Sequence, residues 1–296
     1  MIEDIIKNSA KNNLESLTVI DYKEHNSAEL LANSLHEIGF AVLTNHDVDN
    51  NFVEQVYASW KEFFKFGNKL GFEFDPKTHD GYVSFEKSET AKGSDIKDLK
   101  SFYHFYKTGR CPESLKDMTD KLYDQLESMA CKLLGSLELF LPKDIKSNLS
   151  MPLVNMVKNS GHSLLRPIYY PPLSKNIQKG AMRSAPHEDI DMLTLIAAPS
   201  APGLQVKDKL GNWLDVPCDP KFLVINNGDL LDECTRSFYP STTHRVINRV
   251  ADNNLDLDRV SMPLFLHPHN EVRLSEKYTA ESFRRERFIE LGLIEV

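Results

Sequence analysis

SAPHEDIDMLTLIAAP, Ser184–Pro199, sets a polar His-Glu-Asp triplet directly ahead of a short apolar run. In extended backbone, side chains at i and i+2 leave the same face, so His187 and Asp189 can reach one ion together. An isolated triplet of this kind is more often a polar turn than half of a metal site. The neighbouring sequence has to supply a third ligand, and it also has to supply the fold.

MLTLIAA is one of a series. After about Lys143 short apolar or alternating runs recur between turn signals: LVNMV, LLRPIYY, LQV, FLVIN, HRVIN and RVSMPLFL. KLGN, Lys209–Asn212, sits between LQV and WLDV and reads as a hairpin turn. Many short strands at such spacing indicate an all-β sandwich, barrel or jelly roll rather than a parallel sheet.

Before Lys143 the pattern differs. LTVID, Leu17–Asp21, is β-rich. Asn26 or Ser27 can cap a helix carrying Leu31, Leu35 and Ile38, which Gly39 ends. FAVLT, Phe40–Thr44, is a second strand, and Val53, Val56, Trp60 and Phe63 mark one face of a second helix. Leu70–Ser101 is polar and Gly-bearing, which predicts a long irregular segment. From Pro112 on, Leu115, Met118, Leu122, Leu126, Met129, Leu133 and Leu137 step by three or four, the stripe of a long core-packing helix. A last helical stretch, TAESFRRERFIELGLI, closes the chain. The expectation is one integrated domain of mainly β structure with helices (α+β): an N-terminal α/β region, residues 1–142, packed on a β-core, residues 143–296, that carries a closing C-terminal helix.

Composition narrows the function. The chain has 296 residues with 41% hydrophobic and 26% charged, ordinary for a soluble globular protein. Its net charge of −8 and the lack of a Lys/Arg cluster argue against a nucleic-acid partner. MIEDIIKNSAKNN lacks the apolar segment of a signal peptide, and no stretch approaches the roughly 20 apolar residues that span a membrane. Cys111, Cys131, Cys218 and Cys234 are widely separated, which predicts reduced thiols in a cytoplasmic protein.

GDLLDECTRSFYPSTTHRVINR, read as a strand, offers the third ligand in His244. Two histidines and one carboxylate occupy one triangular face of an octahedron, the arrangement of non-haem Fe(II) oxygenases. Arg259 and Ser261 again have i, i+2 spacing on a strand. The planar guanidinium grips a carboxylate in bidentate fashion, and the hydroxyl adds a donor.

In this order the segments resemble the isopenicillin N synthase-like family of Fe(II)- and 2-oxoglutarate-dependent oxygenases. LTVIDY, IGFAVLTNHDVD, THDGYV, Tyr170-Pro171-Pro172 and the run HEDIDMLTLI…GLQVKDKLGNWLDVP…VINNGDLL…YPSTTHRVINR…RVSMPLF carry the likeness through nearly the whole chain. The resemblance implies a double-stranded β-helix (jelly roll) core. It also implies His187, Asp189 and His244 as iron ligands, Arg259 and Ser261 as the pair binding the distal carboxylate of 2-oxoglutarate, and Tyr170 as a hydroxyl assisting it. Asn226 and Asp229 are read as structural. The implied reaction consumes 2-oxoglutarate and O2 and oxidises a small organic substrate, with release of succinate and CO2. Hydroxylation is the default outcome; desaturation or ring closure are variants. An Fe(II) oxygenase of the same fold that works without 2-oxoglutarate, and a non-catalytic ligand-binding β-fold, are the alternatives.

The chain departs from the family at three points. The stretch between His244 and Arg259 is a few residues longer, Asp47 replaces a common glycine, and Ile168 replaces a common asparagine. His267-Pro268-His269 is expected to be a surface turn, and His46, His79, His104 and His162 are not expected to be ligands. Arg166 shares the strand parity of Tyr170 and can face the pocket. Tyr82, Phe85, Phe102 and the Phe283–Phe288 stretch are the expected substrate-facing segments.

Overall fold

The short apolar runs become strands, of which the central ones are buried on both faces. The computed structural model describes residues 17–90, 96–173, 177–197, 199–248 and 258–291. The N-terminal polar stretch and the lengthened segment before Arg259 lie largely outside these residues.

The chain opens with β1 (Val19–Asp21), α1 (Ser27–Glu37) and β2 (Phe40–Thr44). Asn26 is the N-cap of α1, without a side-chain bond. Gly39 follows the helix at φ +74°, and its N–H returns to the Leu35 carbonyl. A Cβ on Gly39 would come 2.2 Å from Thr242 Oγ1, so only glycine fits both the left-handed backbone and the close approach. The Asp49 side chain caps α2 (Asn50–Phe66), which buries Val53, Val56, Trp60 and Phe63.

The following segment is irregular, as its composition predicts, apart from β3 (Gly81–Val83) and one 3₁₀ turn, Phe85–Lys87. It is pinned by Asp80, whose carboxylate accepts from Arg110 Nε at 2.9 Å, Arg110 Nη2 at 2.6 Å and the Arg110 backbone N–H at 2.6 Å. Next come β4 (Ser101–His104) and the long helix α3 (Glu113–Leu139). Two short helices complete this side, α4 (Lys143–Asn148) and α5 (Leu153–Val157). The last corrects the strand expected at LVNMV. Pro152 supplies a ready N-cap, and Leu153, Met156 and Val157 sit at i, i+3 and i+4, burying one helical face.

The core strands are β5 (Leu164–Leu165), β6 (Ile168–Tyr170), β7 (Ser184–His187), β8 (Leu193–Ala197), β9 (Leu204–Lys207), β10 (Trp213–Asp215) and β11 (Leu223–Asn227). After the short helix α6 (Asp229–Cys234) come β12 (His244–Val246), β13 (Arg259–Ser261), β14 (Pro263–Leu266) and α7 (Ala280–Glu290). α6 corrects the continuous strand expected from Gly228 to His244. The KLGN turn is where expected, since Trp213 pairs with Lys207 across the β9–β10 hairpin.

Three sheets result, ordered β1-β2-β11-β8-β14-β5, β10-β9-β12-β7 and β13-β6-β4-β3. Among the described pairs of named strands only β1–β2 is parallel, and the rest are antiparallel, as in a jelly-roll core. The N-terminal region does more than cover this core. β2 lies between β1 and β11, and β4 lies between β3 and β6, so the sheets are built from both regions.

Period-two alternation divides the interior. Ala41, Leu43, Leu193, Leu195, Leu223 and Ile225 face the helices, while Phe40, Val42, Ile196 and Val224 face the space between the sheets. Strands buried on both faces read as unbroken apolar runs, which is why MLTLIAA shows no alternation in sequence. No described helix is long and apolar enough to cross a membrane.

Candidate metal centre and its cavity

β7 ends at His187 and β12 begins at His244, and the two residues are direct antiparallel partners. Asp189 lies two residues beyond β7, where the chain bends toward β8. Strand pairing therefore does what sequence spacing could not: it carries His244 across 57 positions to the His187–Asp189 pair. Ligand atoms of the three residues all lie within 4.8 Å of one another, with His187 Nε2 3.8 Å and His244 Nε2 3.6 Å from the Asp189 carboxylate. Among the described residues this is the one such group of His, Cys, Asp and Glu side chains.

The donor set suits a divalent transition ion. Nδ1 of His187 faces the Ala185 carbonyl at 2.8 Å, and Nδ1 of His244 faces the Thr242 carbonyl at 3.1 Å. An N–H donated to each carbonyl fixes the tautomer and leaves the Nε2 lone pair directed inward, as a metal-binding imidazole requires. Partial burial and the adjacent His244 lower the His187 pKa to about 4, keeping its imidazole neutral.

Asp189 is held from behind. Its Oδ2 accepts from Asn226 Nδ2 at 2.9 Å and from Thr194 Oγ1 at 2.7 Å. Thr194 and Asn226 are themselves cross-strand partners on β8 and β11, so one rung of the sheet presents two donors to one oxygen. Burial would raise the Asp189 carboxyl, but His244, His187, Asn226 and Thr194 bring it below its usual range. Thr194 Oγ1 also lies 2.9 Å from Asp191 Oδ2, yet its single proton can serve one carboxylate at a time. Burial and the nearby Asp189 push Asp191 well above the carboxylate range. Asp191 comes so close to Gly228 that a Cβ there would lie 2.0 Å from its Oδ1.

Arg259 and Tyr170 are partners on β13 and β6, as are Ser261 and Ile168. All four line the same narrow cavity as the triad. Arg259 is 1% exposed. Its Nε donates to the Ala201 carbonyl at 3.0 Å, and its guanidinium lies 4.9 Å from the Tyr170 ring centroid. Among the described residues its Nη1 has no hydrogen-bond partner and no carboxylate pairs with it. A buried guanidinium without a counter-ion is costly. Tyr170 is oriented here as an aromatic wall.

Arg166 faces the cavity, in keeping with its strand parity. The aromatic residues expected to face substrate do not line it. Tyr82 packs on Phe63 and Phe64, Phe283 on Tyr278, Phe102 lies beneath the Arg166 guanidinium, and Phe85 is exposed. The surface turn expected at His267 is tucked in: its ring lies between the Phe265 and Ile190 carbonyls, and Pro268 is buried. His46, His79, His104 and His162 do not line the cavity. Asn226, read as purely structural, supports the triad directly. Thr194, Asp191 and the cavity-lining Lys100 carried no sequence signal, since only strand register brings them in.

Comparison with known proteins agrees with this geometry. Residues 161–268 match the family model of the 2OG-Fe(II) oxygenase superfamily, and residues 13–125 match that of the N-terminal region of non-haem dioxygenases in morphine synthesis. The chain is 30% identical over 275 residues to oxoglutarate-dependent flavonoid 7-O-demethylase 1 of Ocimum basilicum, covering 87% of this chain and 70% of that protein. It is 29% identical over 269 residues to jasmonate-induced oxygenase 3 of Arabidopsis thaliana, covering 85% and 70%. Among solved structures, a protein of Shewanella oneidensis assigned as an oxygenase superposes with a TM-score of 0.85 at 45% identity, covering 94% of this chain and all of that one. A full-length Neurospora crassa protein, solved in complex with alpha-KG, shares the fold with a TM-score of 0.78 at 20% identity, covering 96% and 98%.

Proposed function

Because this chain belongs to the 2OG-Fe(II) oxygenase superfamily, we propose that His187, Asp189 and His244 hold its Fe(II) and that Arg259 and Ser261, walled by Tyr170, receive the far carboxylate of 2-oxoglutarate. The chain is a 2-oxoglutarate-dependent dioxygenase, an oxidoreductase that uses Fe(II), 2-oxoglutarate and O2. The observation that carries the residue roles is the convergence of three ligand atoms within 4.8 Å at one wall of a cavity whose other wall holds a buried arginine that, among the described residues, has no carboxylate partner.

The bound iron supplies oxygen activation coupled to decarboxylation of 2-oxoglutarate to succinate and CO2, and oxidation of a substrate C–H bond. The chain's own residues do the rest. The two imidazoles and Asp189 would hold the ion through three side-chain donors. Thr194 and Asn226 fix the Asp189 carboxylate, with Oδ1 toward His187 Nε2 and Oδ2 toward His244 Nε2. Arg259 neutralises a carboxylate in a region that excludes water, and Ser261 sets its rotation.

The substrate in this reading is a small organic molecule that is hydroxylated, or desaturated or cyclised. The net charge of −8 disfavours a polyanionic partner. The free thiols of Cys111, Cys131, Cys218 and Cys234 support a cytoplasmic setting.

Arg259→Ala tests the assignment of the clamp. The KM for 2-oxoglutarate should rise at least tenfold while Fe(II) binding is retained. An unchanged KM would remove Arg259 from the co-substrate site.

A further inference from the structure

Two further cations, Arg166 and Lys100, line the cavity and are left unused by the roles above. Arg166, Ile168 and Tyr170 share one face of the extended chain and all line the cavity. Tyr170 lies opposite Arg259, Ile168 opposite Ser261, and the Arg166 N–H donates to the Pro263 carbonyl, so one ladder runs from Arg259 to Arg166. Four residues of extended chain separate Tyr170 from Arg166, about 13 Å. One arginine therefore stands at each end of the ladder.

At its own end Arg166 is set as a receptor. Its guanidinium lies between two aromatic rings, 4.9 Å from the Phe102 centroid and 5.1 Å from that of Phe265. Stacking fixes its plane and leaves its edge open for hydrogen bonds. Nη1 faces Glu89 at 3.2 Å, but among the described residues the buried Nε has no partner. Lys100 stands beside it, 5% exposed, bonded to Asp98 at 2.9 Å and Glu89 at 3.0 Å, with Ser184 Oγ on the His187 strand at 3.3 Å. The two cations line the cavity; Glu89 and Asp98 do not. Glu89 bridges the two cations and Asp98 pairs with Lys100, so the carboxylates hold the cations in place at the cavity wall. Among the described residues Asp189 is the one acidic side chain lining the cavity, and the metal centre claims it.

We propose that Arg166 and Lys100 form the recognition pole for a carboxylate on the primary substrate. The substrate is thus a small organic acid, held with its charged end at Arg166 and its body extending toward the triad. The planar edge of Arg166 favours a carboxylate, which it can meet with two parallel bonds, and Lys100 adds a point charge. This inference rests on the co-substrate reading above, in which Arg259 is committed to 2-oxoglutarate and is not free for the substrate.

The test is an anaerobic calorimetric titration of the Fe(II)- and 2-oxoglutarate-loaded protein. The probes are acetate, benzoate, phenylacetate and indole-3-acetate, each paired with its primary amide. At least one acid should bind ten or more times more tightly than its amide. Arg166→Gln should erase that preference, and Arg166→Lys should restore part of it, which a merely structural arginine would not do. Lys100→Met should weaken the acid several-fold. If no acid binds, if amides bind as well as acids, or if Arg166→Gln keeps the preference in a protein that melts like the parent, the pole is not a carboxylate site. The prior heat of 2-oxoglutarate binding separates the two claims: its absence would remove the co-substrate reading, and this proposal with it.

Discussion

His187 and Asp189 were legible because extended backbone turns i and i+2 to one side, a rule that needs no knowledge of the partner strand, although the strand itself ends at His187. His244, Arg259 and Ser261 needed more: their type and chain order suggested them, and pairing places them. Asn226, Thr194, Asp191 and Lys100 were out of reach, because each joins the site through register, and local sequence does not state which strand lies beside which. Residues behind a ligand still tune it. Asn226→Ala removes one of two donors to Asp189 Oδ2, so metal affinity should fall about 10- to 100-fold while the melting temperature barely moves. Equilibrium dialysis with Mn(II) measures this. Affinity equal to the parent would reduce Asn226 to a packing residue.

Individual elements show where period and capping govern and where they mislead. MLTLIAA, FAVLT and FLVIN became strands with both faces buried. LVNMV has the same apolar look, but a proline before it and an i, i+3, i+4 face make it the helix Leu153–Val157. The irregular stretch before β4 depends on a staple. Asp80 is 2% exposed and engages Arg110 through two side-chain bonds and one backbone bond. Asp80→Asn should cost about 2 kcal/mol, since it weakens the charge-assisted hydrogen bonds to the partly exposed Arg110. Burial would raise the Asp80 pKa, but Arg110 and Thr78 outweigh it and the net shift is downward. A lowered folded-state pKa stabilises fully above the unfolded carboxylate value of about 3.9 and is lost as pH falls through and below it. The stability gap between parent and Asp80→Asn should therefore be widest near neutral pH and shrink below about pH 4. Denaturant melts at pH 7 and pH 3.5 check this, and a gap that widens in acid would contradict the staple.

At the scale of the whole molecule, the division at residue 142 describes the sequence pattern better than it describes folding. β2 is hydrogen-bonded on one side to β1 and on the other to β11, with Phe40 opposite Asn226, and β4 pairs with β6 beside the Arg259 strand. Residues 143–296 alone would expose the edges of β11 and β6 and the apolar faces that α2 and α3 cover. That fragment should not give a cooperative thermal transition, while the whole chain should melt in one step; a folded fragment would restore two independent units. The same interleaving couples the site to the full chain, because Lys100 and Phe102 reach the cavity region from the N-terminal side and the triad from the C-terminal side. The central claim is that His187, Asp189 and His244 hold iron on which 2-oxoglutarate is anchored through Arg259. It is tested most directly by anaerobic titration of the iron-free protein with Fe(II) and then with 2-oxoglutarate, followed by visible absorption. The account predicts a saturable metal-to-ligand charge-transfer band that His244→Ala abolishes. Fe(II) binding with no such band, or a band that persists undiminished in His244→Ala, would contradict it.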